Sequence, residues 1–521
     1  MKTSTRPIDS VRKRYLVTLF SNSIFFFASL VTAGVVPRAL GPKLLGDYSF
    51  LSRISSALRN FLNMGTSSAF FNYNSKHENT GPLVRLYSIW FVAQLLITFS
   101  LLGLAVFLGL KEFIWPGQEL KYIVWVIAFD WVFFSVNILK QLSDSKGYTS
   151  RAQLINLALS LVNIILLVSF ALSGLLNLGR YIAIQTFTSA SISLCIILFI
   201  IVPHKDIYWA GSIRGHLREF SKYFYKFCHP LVIVMFVGFI FEYLDRLFLQ
   251  RFSGSIEQGY FHIASSWAAF ATLFTASILS IYKREMASSL GKNDSLRAAE
   301  IFSRYLKMMY FLTLVLSVFL AFHANTLLAL IAGPKFKAAG VILIIMAFYP
   351  IHQVYGQLGG AAFYASERTA ILRNISVSAM ILGIPLSYFL IAPSTMPIPG
   401  LGLGAMGLAI KTVVWNILLV QVYLIWNCRF FKLNPIPFWR HQIYSLLMLV
   451  GIMCILKLAI SFFLQSLGVE FTVLKLFLDV LVYFAAVAGF VYLRPSIAGI
   501  KREEIIAVLK KIKSKLRRDR G

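Results

Sequence analysis

Charged residues are scarce in this chain of 521 residues, and acidic residues are the scarcest of them. Asp, Glu, Lys and Arg make up 14% of the sequence, whereas about a quarter is usual in soluble proteins. Hydrophobic residues make up 58%. This composition excludes an ordinary soluble protein, and it predicts an all-α polytopic membrane protein.

Cysteine is also rare, which excludes the chemistry that depends on it. The four cysteines lie far apart, in or beside apolar runs, and they have neither zinc-ligand spacing nor a disulfide pattern. We interpret them as packing residues. The sequence predicts no metal and no cofactor.

Apolar runs of about twenty residues, long enough to cross a bilayer, recur along the chain. They predict about fourteen spans, near residues 15–36, 48–71, 86–110, 122–140, 152–174, 181–202, 229–250, 260–282, 308–331, 341–364, 371–392, 405–427, 442–465 and 471–493. An even number places both termini on one side, and most of the 50 Lys and Arg residues lie on that side. The positive-inside rule therefore predicts cytoplasmic termini in the inner (cytoplasmic) membrane. This topology accounts for the net charge of +29 without nucleic acid as a partner.

A polar turn after the first span has a counterpart in the second half of the chain. Arg38, Gly41, Gly46 and Tyr48 recur, 213 positions later, as Arg251, Gly254, Gly259 and Phe261. These matches indicate an internal duplication, which is typical of transporters whose site lies between two repeats, although chance matches of common loop residues are the alternative.

The duplication divides the chain into two repeats and three further segments. The predicted parts are an N-terminal lobe of spans 1–6 (1–203), an amphipathic linker (204–228), a C-terminal lobe of spans 7–12 (229–434), two appended spans (435–495) and a basic tail (496–521). Either the tail lies on anionic membrane lipids or it is a solvated segment that fixes the topology.

The second span carries most of its polar side chains on one side. Ser52, Ser56, Arg59, Asn63 and Thr66 fall within about 80° on a helical wheel, and Arg53, Asn60 and Ser67 widen the arc to roughly 160°. A mid-bilayer arginine costs about 2.5 to 3.5 kcal/mol, so this helix is predicted to line an aqueous cavity. The alternative is that Arg53 snorkels outwards and Arg59 is simply salt-bridged.

Acidic residues inside spans are candidates for ion coupling. Glu242, Asp245 and Arg246 share one helix face, so Glu242 can pair with Arg246 and leave Asp245 to bind a proton or Na⁺. A structural cluster is the alternative. Asp130 is a second isolated acid, for which an ion pair with a basic residue of the first lobe is the alternative.

Lys411 follows the glycine-rich start of the twelfth span. The stretch 402–407 formally matches a dinucleotide-binding pattern, but no strand precedes it, so the match is not meaningful. Lys411 either adds to a cationic lumen or snorkels.

Four stretches resemble the polysaccharide flippases of the multidrug/oligosaccharidyl-lipid/polysaccharide (MOP) exporter superfamily. They are Arg38-Ala-Leu-Gly-Pro-Lys-Leu-Leu-Gly-Asp-Tyr48, Asp245-Arg246 with the Gly259-Tyr260 turn, Gly333-Pro-Lys-Phe336 and Gly402-Leu-Gly-Ala-Met-Gly-Leu-Ala409. The similarity covers residues 10–430, and its motifs identify the fold better than the cargo.

This resemblance implies two six-helix lobes in a V and transport by alternating access. The implied substrate is an undecaprenyl-diphosphate-linked oligosaccharide, moved from the cytoplasmic to the periplasmic leaflet, with polysaccharide polymerase and chain-length proteins as partners. Guanidinium groups bind phosphate oxygens in pairs, so Arg53 and Arg59 are the principal candidates for the diphosphate, with Asn63 and Lys411 beside them.

Other functional classes make different demands on the sequence. A drug exporter of the same superfamily needs carboxylates to dominate the cavity, and a lipid II flippase differs only in its cargo. An enzyme needs catalytic acids on a sizeable aqueous loop, and the predicted topology has none. A non-transporting scaffold in a polysaccharide assembly complex is a further alternative.

Overall fold

The computed structural model describes residues 11–77, 80–204, 215–272, 275–466, 472–500 and 502–503. Within these ranges the chain is helical and has no strand, which confirms the all-α prediction. The helices are α1 (Val11–Asn63), α2 (Thr66–Lys76), α3 (Gly81–Phe107), α4 (Lys111–Ile114), α5 (Leu120–Ser145), α6 (Thr149–Leu172), α7 (Leu178–Ile196), α8 (Leu217–Ala269), α9 (Thr275–Gly291), α10 (Ser295–Ile331), α11 (Ala339–Met346), α12 (Tyr349–Ala365), α13 (Thr369–Ile391), α14 (Gly404–Phe430), α15 (Ile436–Ser466) and α16 (Thr472–Leu493). The basic tail from residue 504 and residues 205–214 of the linker lie outside the described residues, so their predicted properties stay predictions.

The helices are long and apolar enough to confirm a polytopic membrane protein. Eleven described helices qualify as spans, or twelve if the bent pair Leu217–His229 and Leu231–Thr272 forms one span. Helices α1 and α8 each contain 53 residues, about 80 Å, which is more than twice the thickness of a bilayer's hydrocarbon core. Each is broken at one glycine and so has room for two crossings, which brings the total in the described part of the chain to about fourteen.

The two breaks have the same backbone conformation. Gly41 in α1 has φ 72° and ψ 174°, and Gly254 in α8 has φ 81° and ψ −177°. This region of φ and ψ is accessible essentially only to glycine, so no other residue type fits these positions without strain. Two glycines 213 positions apart in one unusual conformation support the internal duplication.

Contacts along the chain divide it into two compact units. The first unit runs to His262 and adds Ile331–Lys335 and Ile384–Ala405. In it, α1 packs against α5 and α6, and α7 packs against α5 and α6. Its most buried large side chains include Phe50, Phe70 and Trp131, each at most 2% exposed.

The second unit consists of Ile263–Leu330, Phe336–Gly383 and the chain from Met406 onwards. One core joins its helices, and this core contains Tyr282, Phe302, Leu358 and Tyr483, each fully buried. The predicted appended spans correspond to α15 and α16, and they are part of this core, since the Tyr483 hydroxyl donates to the carbonyl of Val315 at 3.0 Å. The division into six-helix lobes remains a prediction.

Within the first unit, α1 and α8 touch backbone to backbone. A Cβ built on Gly46 would lie 1.7 Å from the Ser255 carbonyl oxygen, and one built on Gly259 would lie 2.0 Å from the Pro42 carbonyl oxygen. Ser255 follows Pro42 by the same 213 positions that separate Gly259 from Gly46, so the contact is reciprocal, as two repeats related by a pseudo-twofold axis require. We call these four residues the glycine crossing.

We predict that Gly46→Ala and Gly259→Ala each lower the stability of the purified protein by about 2 kcal/mol, because the added methyl collides with backbone that cannot rotate away. Thermal unfolding in detergent measures the change. Gly103→Ala in α3 is the matched control, since a Cβ there meets nothing within 4 Å. Unfolding temperatures for Gly46→Ala and Gly259→Ala equal to that of Gly103→Ala would show that the close approach is not required.

Candidate functional site

Polar contacts surround the glycine crossing on the α1 side and the α8 side. Asp47, next to Gly46, accepts hydrogen bonds from Gln118 Nε2 at 2.8 Å and from the Ser255 hydroxyl. Ser255 in turn accepts from Gln250 Nε2 at 2.9 Å. Residues from three separate parts of the first unit therefore hold the two broken helices together. Under the predicted topology this closure lies at the extracytoplasmic end.

The arginines of the duplicated turns also lie at the helix breaks. Arg38 Nε donates to the carbonyl of Ile331 at 2.7 Å, and its side chain lies 3.5 Å from a Cβ built on Gly333. Its repeat counterpart, Arg251, is exposed and lies over the ring of Phe113, 5.6 Å from the ring centroid. Arg38 thus joins α1 to the end of α10, and Arg251 contacts α4.

Arg53 and Glu242 form an exposed charge pair. Arg53 Nη1 lies 3.6 Å from Glu242 Oε1, and the two side chains are 51% and 40% exposed. Arg53 is seven residues beyond Gly46, about 10 Å further along the helix, and in the predicted topology this position lies within the hydrocarbon of the bilayer. Charges that faced lipid at this depth would be costly, so the exposed side of the pair requires water.

Below the charge pair, α1 and α8 are again in contact through aromatic side chains. The ring of Phe61 lies 5.6 Å from that of Phe236 and 5.7 Å from that of Phe239, centroid to centroid. A Cβ on Gly65 would lie 2.8 Å from Leu231. The charge pair therefore sits between two apolar or backbone contacts of an antiparallel helix pair.

Arg59 adopts the salt-bridged alternative. Its Nε lies 2.8 Å and its Nη2 3.4 Å from the Asp130 carboxylate, and the two side chains are 13% and 8% exposed. The Ser55 hydroxyl also donates to Asp130 at 3.2 Å, and the guanidinium lies 4.6 Å from the ring centroid of Phe134. Asp130 thus has the basic partner from its own half of the chain that was the alternative to an isolated acid.

Asn63 is enclosed in a hydrogen-bond network at the end of α1. It donates to the Ser67 hydroxyl at 2.9 Å and accepts from the Thr66 hydroxyl at 2.8 Å, and it is 9% exposed. Met64 and Gly65 both have positive φ and break the predicted second span there. The sequence prediction missed this break, and the only local signal for it is the glycine.

The predicted polar arc therefore faces two environments. Arg53 and Asn60 are exposed, whereas Arg59, Asn63 and Thr66 point to neighbouring helices. An arc of roughly 160° is wide enough for both, because protein neighbours cover only part of a helix surface.

The acidic group in α8 pairs differently from the prediction. Within the described structure the ion pair of Glu242 is with Arg53 rather than with Arg246, although Arg246 remains close enough to interact electrostatically with Glu242. Arg246 instead donates to Gln258 Oε1 at 3.2 Å, and Gln258 Nε2 donates back to the Arg246 carbonyl at 2.7 Å, so this contact bridges the break at Gly254. Asp245 accepts a hydrogen bond from the Ser387 hydroxyl.

Lys411 lies in α14 of the second unit and is 2% exposed. It is enclosed by protein in this conformation and neither lines an open lumen nor snorkels.

Helix α2 contacts the start of α8 at the other end of the first unit. The Tyr73 hydroxyl donates to Glu219 Oε1 at 2.8 Å, and the Tyr73 ring packs edge-on against Phe220, 5.4 Å away. Burial, followed by this hydrogen bond, raises the pKa of Tyr73 to about 12. Tyr73 therefore keeps its proton, and the hydrogen bond persists at physiological pH.

The fold is similar to that of several solved membrane transporters. A structure described as "Lipid II flippase MurJ, inward closed conformation" matches with a TM-score of 0.64 and 16% identity, over 92% of this chain and 98% of that one. An inward-facing multidrug resistance MATE family transporter of the MOP superfamily matches with a TM-score of 0.59 and 15% identity, over 81% and 95%. A MOP superfamily transporter from Pyrococcus furiosus matches with a TM-score of 0.54 and 14% identity, over 80% and 94%. At these identities the likeness shows the MOP fold alone.

The family of the chain is identified by a sequence match. The model of a family described as "Polysaccharide biosynthesis protein" matches residues 35–341, more than half of the chain. The chain belongs to this polysaccharide biosynthesis protein family. A search of curated protein sequences found no significant match.

We predict that Asp130→Asn lowers stability by about 3 kcal/mol, because it leaves the mostly buried guanidinium of Arg59 without a carboxylate. The double variant Arg59→Met with Asp130→Asn is expected to recover most of this loss, since no charge is then left unpaired. Thermal unfolding of the purified variants gives the comparison. A double variant less stable than Asp130→Asn alone would show that the ion pair itself, and not an orphaned charge, determines stability.

Proposed function

We propose that the chain is a flippase that translocates an undecaprenyl-diphosphate-linked oligosaccharide from the cytoplasmic to the periplasmic leaflet of the inner membrane. The observation that carries this proposal is the half-exposed guanidinium of Arg53 at membrane depth, in a member of a polysaccharide biosynthesis family. A fixed cation in a hydrated cleft is what an anionic lipid headgroup needs in order to leave the membrane surface.

Arg53 supplies the first contact with the diphosphate. Its nearest carboxylate oxygen is 3.6 Å away, beyond hydrogen-bond length, and half of its side chain is exposed. Its N–H groups therefore retain donor capacity for two phosphate oxygens. Arg59, Asn63 and Lys411 are enclosed in this conformation, and they remain proposed substrate contacts for a conformation with a wider cleft.

The lipid tail stays outside the cleft. Each methylene moved from hydrocarbon to water costs about 0.8 kcal/mol, so a polyprenyl chain of many methylenes cannot follow the headgroup into a hydrated site. The headgroup crosses while the tail remains in lipid.

In a transport cycle with alternating access, the glycine crossing is the contact that closes the cleft on the extracytoplasmic side. The proposal requires that Gly46 and Gly259 separate when the cleft opens to the periplasm, with the breaks at Gly41 and Gly254 as the places where the helices bend. Glu242, Asp245 and Asp130 remain the proposed ion-coupling residues, and each has a partner in this conformation that a bound ion would displace. Polysaccharide polymerase and chain-length proteins remain proposed partners.

Two other cargoes fit the same fold. One solved protein of this fold is named a lipid II flippase, and another is named a multidrug resistance transporter. Lipid II shares the polyprenyl diphosphate, so Arg53 would serve it equally. A cationic drug would be repelled by Arg53, which makes an exporter of cations the weaker alternative.

We predict that Arg53→Gln reduces translocation of a fluorescent undecaprenyl-diphosphate oligosaccharide at least tenfold in liposomes that contain only this protein. Thermal unfolding is expected to change by less than about 1 kcal/mol, because an exposed ion pair contributes little to stability. Arg151→Gln is the matched control: it removes an exposed arginine that lies over the ring of Tyr148, 5.7 Å from the ring centroid, so most translocation should persist.

Two results would contradict this proposal. One is translocation by Arg53→Gln at the wild-type rate. The other is a wild-type protein that moves cationic dyes and does not move the lipid-linked oligosaccharide.

A further inference from the structure

A buried pair of ionisable side chains lies in the second unit. His323 Nε2 of α10 is 3.7 Å from Asp479 Oδ2 of α16, and the two side chains are 4% and 2% exposed. The separation is longer than a hydrogen bond but short enough for a direct ion pair. The pair joins α10 to the second of the two predicted appended helices.

Both members of the pair have unmet hydrogen-bonding capacity. Among the described residues, His323 Nε2 and Asp479 Oδ1 have no hydrogen-bond partner. Buried polar atoms are satisfied in the great majority of cases, so two such atoms in one pair leave capacity for one further hydrogen bond between them. The His323 ring also packs against the ring of Phe319, 4.6 Å between centroids, so it is held in place on one side.

Two lysines are the other charged groups that face the pair. Lys457 of α15 donates to the Phe322 carbonyl at 3.0 Å, and Lys475 of α16 donates to the Ser461 hydroxyl at 2.7 Å. Both bonds direct the ammonium groups to acceptors other than Asp479. With a neutral imidazole the four side chains carry a net charge of +1, and the carboxylate has no charged hydrogen-bond donor within the described structure.

We propose that His323 and Asp479 form a proton-binding site. The proton comes from water and forms an N–H bond on His323, and the imidazolium then donates its Nε2–H to Asp479 Oδ2. Because both partners are then charged and nearly dry, the 3.7 Å gap closes to hydrogen-bond length. Proton uptake draws α16 towards α10.

Asp479 differs from the predicted ion-coupling acids in the side chains that pair with its carboxylate. Asp130, Glu242 and Asp245 each have a guanidinium or hydroxyl partner already, whereas the nearest charged or ionisable partner of the Asp479 carboxylate among the described residues is an imidazole at 3.7 Å. Asp479 lies seven residues inside α16, about 10 Å from the end at Thr472, which is extracytoplasmic in the predicted topology. The half-buried Lys475 and its partner Ser461 provide polar groups between that end and the pair.

A role for this proton in driving transport rests on the proposed function, but proton binding does not. The test therefore measures binding alone. The full-length protein is labelled with ¹⁵N-histidine, placed in lipid nanodiscs and titrated by NMR between about pH 5 and pH 8, the range in which histidine exchanges protons. The resonance that disappears in His323→Gln identifies His323 among the eight histidines.

We expect the His323 resonance to titrate in the wild-type protein. Asp479→Asn should weaken proton binding at His323 by about tenfold, because it removes the opposite charge next to the imidazole. Lys475→Met should strengthen it by removing a like charge. The resonance of His352, a buried histidine of α12 that forms no ion pair in the described structure, is the internal control and should be unchanged in both variants.

The titration of the wild-type protein tests proton binding at His323 even if the Asp479→Asn or Lys475→Met variant fails to fold. A His323 resonance that stays constant over the whole range would overturn it. So would an Asp479→Asn variant that folds and binds the proton as tightly as the wild type. Neither result would affect the proposed flippase function, which is tested separately at Arg53.

Discussion

Direct contact between two helix backbones holds the first unit together. At the glycine crossing, carbonyl oxygens of one helix occupy the places where side chains of the other would begin. Such an approach is open only to glycine, and it needs helices that bend beforehand, which Gly41 and Gly254 provide. The duplicated motif therefore allows two equivalent helices to pack backbone to backbone. Its arginines contact neighbouring segments of the first unit.

The crossing determines where charge is placed. Arg53 follows the break at Gly41 by twelve residues (53 − 41) and Glu242 precedes the break at Gly254 by twelve residues (254 − 242), so the two residues meet at the same distance from the two breaks, about 18 Å along each helix. The aromatic contact of Phe61 then closes the pair from the other side. The charged pair is thus enclosed along the helix axis and exposed to one side, which is the geometry that the proposed binding of an anionic headgroup requires.

Three pairs of oppositely chargeable side chains within the predicted spans differ chiefly in their exposure. Arg59 and Asp130 are nearly dry and hydrogen-bonded, so the pair holds α1 to α5. Arg53 and Glu242 are about half exposed, so the pair contributes little to stability. His323 and Asp479 are dry but too far apart to bond, so the pair is unsatisfied. The same types of side chain thus form pairs that differ in distance and in exposure.

Much of this architecture could be predicted from the sequence. The apolar runs indicated the number of crossings, because bilayer thickness sets a minimum length, and the offset of 213 positions located the two helix breaks. The partners of the charged side chains could not be predicted. Glu242 and Arg246 are well spaced on one helix, but Gln258 and the ring of Phe261 hold Arg246 instead, and both lie beyond a break whose angle the sequence does not specify. The polar arc of the second span was visible, but which part of it faces protein depends on packing with α3 and α5.

A reversible cross-link at the glycine crossing is the sharpest experiment on whether this contact opens during transport. Asp47 and Ser255 touch through their side chains, so Asp47→Cys with Ser255→Cys, in a background with the four native cysteines replaced, places two thiols at the crossing. Oxidation should form the disulfide and stop translocation of the lipid-linked oligosaccharide, and a reductant should restore it, while either single cysteine variant is unaffected. A fully cross-linked protein that translocates at the uncross-linked rate would show that the crossing never opens, and alternating access through this closure would be wrong.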